Sequence, residues 1–264
     1  MISGASAGIF TGYSLAADKL DWLEDIYCKI DITKTSDLFW QVFAKRLVSK
    51  YIDAMSANED KLTIPFCFPV CYIPVYSVRY YWIFGRYNRA WRKYFRAAIN
   101  YPFLQIIPSF IKGRLAIDGG AADNIPLFPL LHKSRPILSS EKLDLVFVLH
   151  FDARYDWHKD FVTDIPVIDL DLGICNNFEK AHYDYSEKTI RQRIDAAYEY
   201  GKKICARLFE GDCSQEGLQK TINEIFIEEH AIRQQNISMD RFFSMLNVIG
   251  RFIRSDSHCT QKLF

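Results

Sequence analysis

A serine flanked by small residues lies close to the first residue, in the sequence Gly4-Ala5-Ser6-Ala7-Gly8. This G-x-S-x-G pattern is typical of a nucleophilic serine on a sharp turn between a strand and a helix. Glycines suit such a turn because they adopt backbone dihedrals that a Cβ atom resists. The pattern predicts a helix over residues 7–18. The N-terminal amides of that helix, with Ala7 beside the serine, would stabilise negative charge on a reacting oxygen.

Such a serine needs a base, and Asp118 is the best candidate. A Ser-Asp-His triad of the α/β-hydrolase type is not expected, because several strands precede the elbow in that fold and only residues 1–3 precede it here. Asp118 closes the apolar stretch 115–117, which reads as the end of a buried strand, and Gly119-Gly120 follow at once. The alternative is an ordinary turn, since Asp-Gly is a common turn dipeptide.

Taken together, the serine motif and the segment from Asp118 to Leu127 resemble the patatin-like phospholipase family and its Ser-Asp dyad. Residues 96–103 look like the family's Ala/Ser-rich helix that ends in a proline before the aspartate strand. Asn124-Ile125-Pro126 matches the segment that usually follows the aspartate. The likeness covers about residues 2–208 and is most specific at the two motifs.

The resemblance implies hydrolysis of carboxylic esters of phospholipid, lysophospholipid or acylglycerol through an acyl-enzyme, with neither cofactor nor metal. The roles it assigns are those of nucleophile for Ser6, general base without histidine for Asp118, elbow glycines for Gly4 and Gly8, oxyanion amide for Ala7, and aspartate turn for Gly119 and Gly120. The family also has a first strand and a glycine-rich oxyanion loop ahead of the elbow, and this chain has neither. We therefore expect a domain that is incomplete at its N-terminus, either a piece of a longer protein or a protein that has lost part of its catalytic apparatus. A lipid-binding or scaffold protein without activity is the second interpretation.

The expected fold is α/β, a three-layer patatin-like sandwich whose mostly parallel central sheet is flanked by helices. Strands at 143–151 and 165–170, followed by a helix ending near Leu208, are similar to the order that closes such domains. We expect a catalytic domain over 1–210 and a helical C-terminal extension over 211–264, packed on the same domain. Helix-period patterns at 36–57, 218–226 and 242–253 predict further core-packing helices.

Composition limits the partners. The net charge of +1 among 264 residues gives no global attraction to nucleic acid or to an anionic membrane. Seven cysteines without a secretory signal predict reduced thiols and a cytoplasmic location, and peripheral contact with membranes through residues 86–99 is left open. Cys67 and Cys71 lack a second ligand pair at zinc spacing, and the polar residues of 152–160 read as a solvated loop, so no metal site is expected.

The segment 62–78 carries no charge, but Pro65, Pro69 and Pro74 exclude a regular membrane-spanning helix and favour short strands with aromatic side chains packed inward. Residues 86–99 predict an amphipathic helix with aromatic residues on one face and basic residues on the other. The basic face could be solvated, could meet anionic lipid headgroups or could bind nucleic acid. No nucleic-acid fold signature is present, and the resemblance to lipid hydrolases favours a lipid surface.

Overall fold

The computed structural model describes residues 1–29, 49, 51–53, 61–86, 89–100, 109–131, 143–150, 163–175 and 186–235. Residues 49 and 51–53 of the predicted helix at 36–57 are helical, and the rest of that helix lies outside the described residues, as do the loop 152–160 and the helix at 242–253. The chain divides into two compact units. The described residues of the first unit lie at 1–26 and 49–131, and those of the second at 27–29 and 143–235.

A five-stranded sheet forms the centre of the first unit. Its strands are β1 (Ile2–Ser3), β2 (Phe66–Ile73), β3 (Ser77–Ile83), β4 (Ser109–Ile111) and β5 (Arg114–Asp118). Strand β3 pairs antiparallel with β2 along one side. On the other side of β2, β1 pairs in parallel with its beginning and β5 pairs antiparallel with its end. Strand β4 pairs antiparallel with β5.

Besides the helical residues 49 and 51–53, four helices with described bounds begin in this unit: α1 (Gly8–Ala16), α2 (Leu20–Lys29), α3 (Arg92–Ala98) and α4 (Phe128–Leu131). An aromatic cluster fixes α1 and α3 on one face of β2. Tyr13, Phe66, Phe68 and Phe95 are its fully buried members. The ring centroids of Phe68 and Phe95 are 4.7 Å apart, and those of Tyr13 and Phe95 are 5.6 Å apart. The helix after the serine and the helix with the basic face are therefore held on the sheet by the same core.

The uncharged segment forms strands, as its prolines predict, with Pro74 in the turn between β2 and β3. The basic helix is shorter than predicted. Gly85 turns the chain with a φ of +62°, and Arg86 forms a β-bridge with Lys61. A 3-10 turn at Arg89–Trp91 then leads into α3. This bridge is isolated from the strands of the sheet, and it holds Arg86 in extended backbone outside the helix.

The second unit contains two parallel strands, β6 (Val146–His150) and β7 (Val167–Asp171), and three helices, α5 (Leu172–Cys175), α6 (Glu187–Phe209) and α7 (Gln215–Gln235). The Ser186 hydroxyl accepts a hydrogen bond from the amide of Thr189 and so caps α6. One apolar cluster joins β7 to the two long helices; its buried members are Ile168, Leu170, Ile204, Leu208, Ile222 and Ile225.

The predicted α/β class is confirmed. Among the described strands of the five-stranded sheet, however, three pairings are antiparallel and one is parallel. The expectation of a mostly parallel sheet therefore does not describe this sheet. Strands β2 and β3, and then β4 and β5, are joined by tight turns, which connect antiparallel strands only. The division of the chain at residue 210 stays a prediction.

Candidate active site

Strands β1 and β5 lie along the same edge of β2 and run towards each other, so their C-terminal ends meet. Ser3, the last residue of β1, pairs with Cys67. Asp118, the last residue of β5, pairs with Val70. Because β1 runs parallel to β2 and β5 runs antiparallel to it, both strands end at the gap between these two positions of β2. This arrangement brings Ser6 and Asp118 together although they are 112 positions apart in the sequence.

Pro69 lies in that gap. The carbonyl oxygen of Cys67 accepts the Gly4 amide at 3.0 Å, so the polar backbone groups of Cys67 face the edge where β1 and β5 lie. Backbone groups two residues further along a strand face the same side, and Pro69 is two residues on. Pro69 has no backbone N–H, and on this edge of β2 it lies between the last residue paired with β1 and the first residue paired with β5. A proline is tolerated in this inner strand because no ladder hydrogen bond is lost.

The serine sits on a strained turn between β1 and α1. Ser6 has a φ of +52°, in the left-handed region that non-glycine residues seldom adopt. A Cβ on Gly4 would lie 2.4 Å from the carbonyl oxygen of Gly8, so only glycine fits at that position. A Cβ on Gly8 would meet nothing within 4 Å. Neither Gly4 nor Gly8 has the positive φ that would require glycine, so what restricts Gly4 to glycine is close packing, and Gly8 is not restricted in this way.

Helix α1 starts immediately after the serine. The amides of Gly8, Ile9 and Phe10 donate to the carbonyl oxygens three residues before them, at 2.8, 3.1 and 3.1 Å. None of these three bonds uses the amide of Ala7, which occupies the N-cap position and is exposed. The Ala7 amide follows Ser6 directly in the chain and belongs to the first turn of α1, the positive end of the helix dipole, which favours negative charge nearby.

The serine and the aspartate are in direct contact. The Ser6 hydroxyl donates a hydrogen bond to Oδ2 of Asp118, with an Oγ–Oδ2 distance of 2.6 Å. The other carboxylate oxygen, Oδ1, accepts the amide of Gly120 at 2.7 Å. Gly119 turns the chain between them, and a Cβ there would lie 2.3 Å from the Pro69 carbonyl oxygen. The turn Gly119-Gly120 therefore holds the carboxylate with one oxygen aimed at the serine.

Burial sets the protonation of Asp118. Its side chain is fully buried, and burial raises its pKa from the ordinary 3.8 to about 7. The hydrogen bonds from the Ser6 hydroxyl and the Gly120 amide act in the opposite direction, because both favour the charged form. A general base is most effective when its pKa lies near the working pH. Asp118 therefore has the contact and the pKa that proton transfer from the serine requires at neutral pH.

Two hydrogen bonds to backbone carbonyl oxygens, which the sequence did not predict, hold the strands of the site. The amide of Asp118 donates to the carbonyl oxygen of Asn100, a buried residue just after α3, at 3.1 Å. The hydroxyl of Ser3 donates to the carbonyl oxygen of Pro126 at 2.7 Å. Asn100 and Pro126 lie in segments that resemble the patatin-like family, and this resemblance was the sequence signal that could have pointed to the two contacts. The second contact ties the segment after the aspartate to the strand before the serine.

A second buried carboxylate lies close to the aspartate turn. Asp123 is nine per cent exposed, and its amide donates to the carbonyl oxygen of Gly119 at 2.8 Å. Its Oδ2 accepts the hydroxyl of Tyr80, from β3, at 2.6 Å. No sequence pattern pointed to Tyr80, since strand pairing alone brings it here. Asp123 thus braces the turn from the β3 side.

The thiols of β2 do not compete with the serine. Cys67 and Cys71 are buried, and burial raises the pKa of both thiols, that of Cys71 to about 12. The carboxylates of Asp123 and Asp118 add to the respective shifts. Both thiols are neutral at physiological pH, and a neutral thiol is a weak nucleophile and metal ligand.

The described residues were also searched for a metal site and for a membrane-spanning helix. They contain no group of three or more His, Cys, Asp or Glu side chains arranged to hold a metal ion. None of their helices combines the length and the apolar character needed to cross a bilayer.

Comparison with known proteins adds no identification. No protein-family model matches the chain, and no curated protein matches it significantly. The likeness of the two motifs to the patatin-like family therefore stays a prediction, and function is inferred from the geometry of the site.

Proposed function

We propose that this chain is a patatin-like lipid acyl hydrolase that cleaves carboxylic esters of phospholipid, lysophospholipid or acylglycerol. One observation carries the proposal. A serine at a positive φ donates a 2.6 Å hydrogen bond to a buried carboxylate whose pKa is raised to about 7. The three-layer patatin-like sandwich belongs to the same proposal, which the packing of α1 and α3 on one face of the sheet supports.

The reaction proceeds in two halves. The Ser6 oxygen attacks the ester carbonyl carbon while its proton passes to Oδ2 of Asp118, and the Ala7 amide donates to the oxyanion of the tetrahedral intermediate. The intermediate collapses, the leaving alcohol takes the proton from Asp118, and an acyl-serine remains. Water then attacks the acyl carbon as Asp118 accepts its proton, and the proton returns to the serine oxygen as the fatty acid leaves.

A specific observation favours a second candidate, a lipid-binding or scaffold protein without activity. The elbow supplies one oxyanion donor, the Ala7 amide, and the sequence has no adjacent glycines outside the aspartate turn Gly119-Gly120. An oxyanion hole usually has more than one donor, and loss of one costs about a hundredfold to a thousandfold in rate. The same dyad could therefore persist in a protein that turns over an ester very slowly.

A fluorophosphonate probe separates the two candidates, because it traps a serine that a base activates. We expect stoichiometric labelling of the wild-type chain and none of Ser6→Ala, as measured by intact-protein mass. Ser77→Ala, which removes a half-buried hydroxyl from β3, is the matched control and should label as wild type does. A folded wild-type chain that takes no label would support the inactive candidate. Labelling that persists in Ser6→Ala would rule out Ser6 as the nucleophile.

A further inference from the structure

A cavity of about 330 Å³ lies between α3 and the edge strand β4. Its lining residues are Ala90, Arg92, Lys93, Arg96, Ser109 and Phe110. Arg92 and Arg96 are one helical turn apart, so their side chains share a face of α3. The volume lies in the range of pockets that bind small molecules. None of the lining residues belongs to the dyad or to its turn.

The charge of this cavity is positive. The side chains of Arg92 and Arg96 are 39 and 45 % exposed, and Lys93 is exposed as well. Within the described residues, Asp53 is the carboxylate that faces them, in contact with Arg92 and 4.0 Å from Arg96. The three cations exceed this one anion, so an anionic ligand would meet a net positive site. The guanidinium groups match the geometry of phosphate oxygens because they donate in parallel pairs.

The strand side of the cavity adds a hydroxyl and an aromatic ring. The Ser109 hydroxyl accepts the side-chain amide of Asn100 at 3.4 Å, so its own hydrogen can be donated to a ligand oxygen. Phe110 is 63 % exposed at the same rim. An exposed ring beside a cluster of cations suits a ligand that joins an anionic group to an apolar part.

We propose that this cavity binds a phosphate group, supplied either by a phospholipid headgroup or by free phosphate. Arg92, Lys93 and Arg96 neutralise the charge, the Ser109 hydroxyl donates to one oxygen, and Phe110 covers the apolar part of a lipid. Binding does not require the Ser6 chemistry, so it does not depend on the proposed hydrolysis.

The test measures binding of the full chain carrying Ser6→Ala, so that hydrolysis cannot alter the vesicles. Vesicles of phosphatidylcholine mixed with phosphatidic acid are compared with phosphatidylcholine alone by co-sedimentation. Each lysine or arginine near an anionic surface is worth about fivefold in binding, so Lys93→Gln/Arg96→Gln should weaken binding to the mixed vesicles about twenty-five-fold. The matched control, Lys202→Gln/Lys220→Gln, removes the same charge from exposed positions of α6 and α7 and should leave binding unchanged.

Calorimetry with inorganic phosphate distinguishes the two sources. Phosphate binding that the cavity variant loses supports the site with free phosphate as a sufficient ligand. Vesicle binding that the cavity variant weakens, without phosphate binding, supports the site with the headgroup as the ligand, and vesicle binding that the cavity variant retains in full overturns it. The proposal is overturned if the chain binds neither probe, or if the control variant weakens binding as much as the cavity variant. Circular dichroism of each variant establishes that it is folded.

Discussion

Asp118 is subject to two opposing effects on its pKa. Burial disfavours the carboxylate, whereas the Ser6 hydroxyl and the Gly120 amide favour it, and the result is a pKa of about 7. Below that pH the group is protonated and cannot accept the proton of the serine. Above it the group is ionised and can act as the base.

The activity should follow this titration. We expect kcat/KM for a short-chain nitrophenyl ester to rise with pH through an inflection near 7 and then to reach a plateau. Asp118→Asn should lower kcat/KM by about a hundredfold to ten-thousandfold and remove the inflection, because an amide cannot accept the proton. An inflection near pH 4, the range of an ordinary aspartate, would contradict the effect of burial.

The free energy of unfolding should fall as the pH rises, whereas the activity should increase. The folded-state pKa of Asp118 lies above the unfolded value of 3.8, so the group stabilises the fold fully below pH 3.8 and this contribution is lost as the pH rises through about 7. The change in the free energy of unfolding is on the order of 4 kcal/mol. Urea denaturation at several pH values should show a steeper decline between pH 4 and 7 in wild type than in Asp118→Asn, and the difference between the two chains is the contribution of Asp118. Equal pH dependence of the two chains would exclude Asp118 as its source.

At this scale the sequence singled out residues whose types are chemically special, and the structure brings Ser6 and Asp118 into contact, while their catalytic roles stay a prediction. Ser6, Asp118 and Gly119 follow from their motifs, because a strained turn and a close backbone approach restrict which residues fit. The contacts of Asn100 and Tyr80 were not predicted, since they depend on which strands and helices pack together.

At the scale of elements, the turn between β1 and α1 makes unequal demands on its two glycines. The Cβ that alanine would add at Gly4 clashes with the backbone oxygen of Gly8, which cannot rotate away. The Cβ added at Gly8 enters open space. Alanine substitutions at Gly4 and Gly8 are both made close to Ser6, so a difference between their effects reports the packing at each glycine.

We expect Gly4→Ala to lower the free energy of unfolding by about 2 kcal/mol or more, in the upper part of the range for overpacked sites. Gly8→Ala should be neutral or slightly stabilising, because alanine favours the helix more than glycine does. Urea denaturation of both variants measures the difference. Equal losses for the two would mean that the turn does not have the described geometry.

Element types were easier to predict than their pairing. The prolines of 62–78 indicated strands, and Glu187–Phe209 confirms the helix predicted to end near Leu208. The antiparallel pairing of β2 with β5 had no local signal, because hydrophobic periodicity does not specify a partner. The late start of the basic helix likewise follows from the bridge between Arg86 and Lys61, which are distant in sequence.

At the scale of the whole molecule, the division into two compact units gives the second unit a core of its own. Leu208 of α6 is one per cent exposed and belongs to the cluster shared by β7, α6 and α7. Its neighbour Arg207 is partly buried and bonds the carboxylate of Glu228, which is exposed on α7, at 2.7 and 3.0 Å. Sequence periodicity predicted the apolar stripe, but the boundary between units depends on contacts that no single segment encodes.

These neighbouring positions should differ sharply in their effect on stability. Leu208→Ala is expected to cost about 2–5 kcal/mol of the free energy of unfolding, because it leaves a cavity in the core. Arg207→Ala should cost at most about 1 kcal/mol, since its ion pairs are exposed to solvent. Chemical denaturation followed by the far-ultraviolet signal of α6 and α7 measures both. Similar costs would show that packing around Leu208 does not stabilise this unit.

The gap at Pro69 has a consequence for how this site tolerates change. The separation of serine and aspartate is fixed by the number of residues between Cys67 and Val70, on a strand that contributes no reacting group. One residue inserted there would move the two strand ends apart by about 3.3 Å, more than a hydrogen bond allows, unless a bulge absorbed it. Length variation in β2 would therefore abolish the dyad while leaving Ser6 and Asp118 themselves intact.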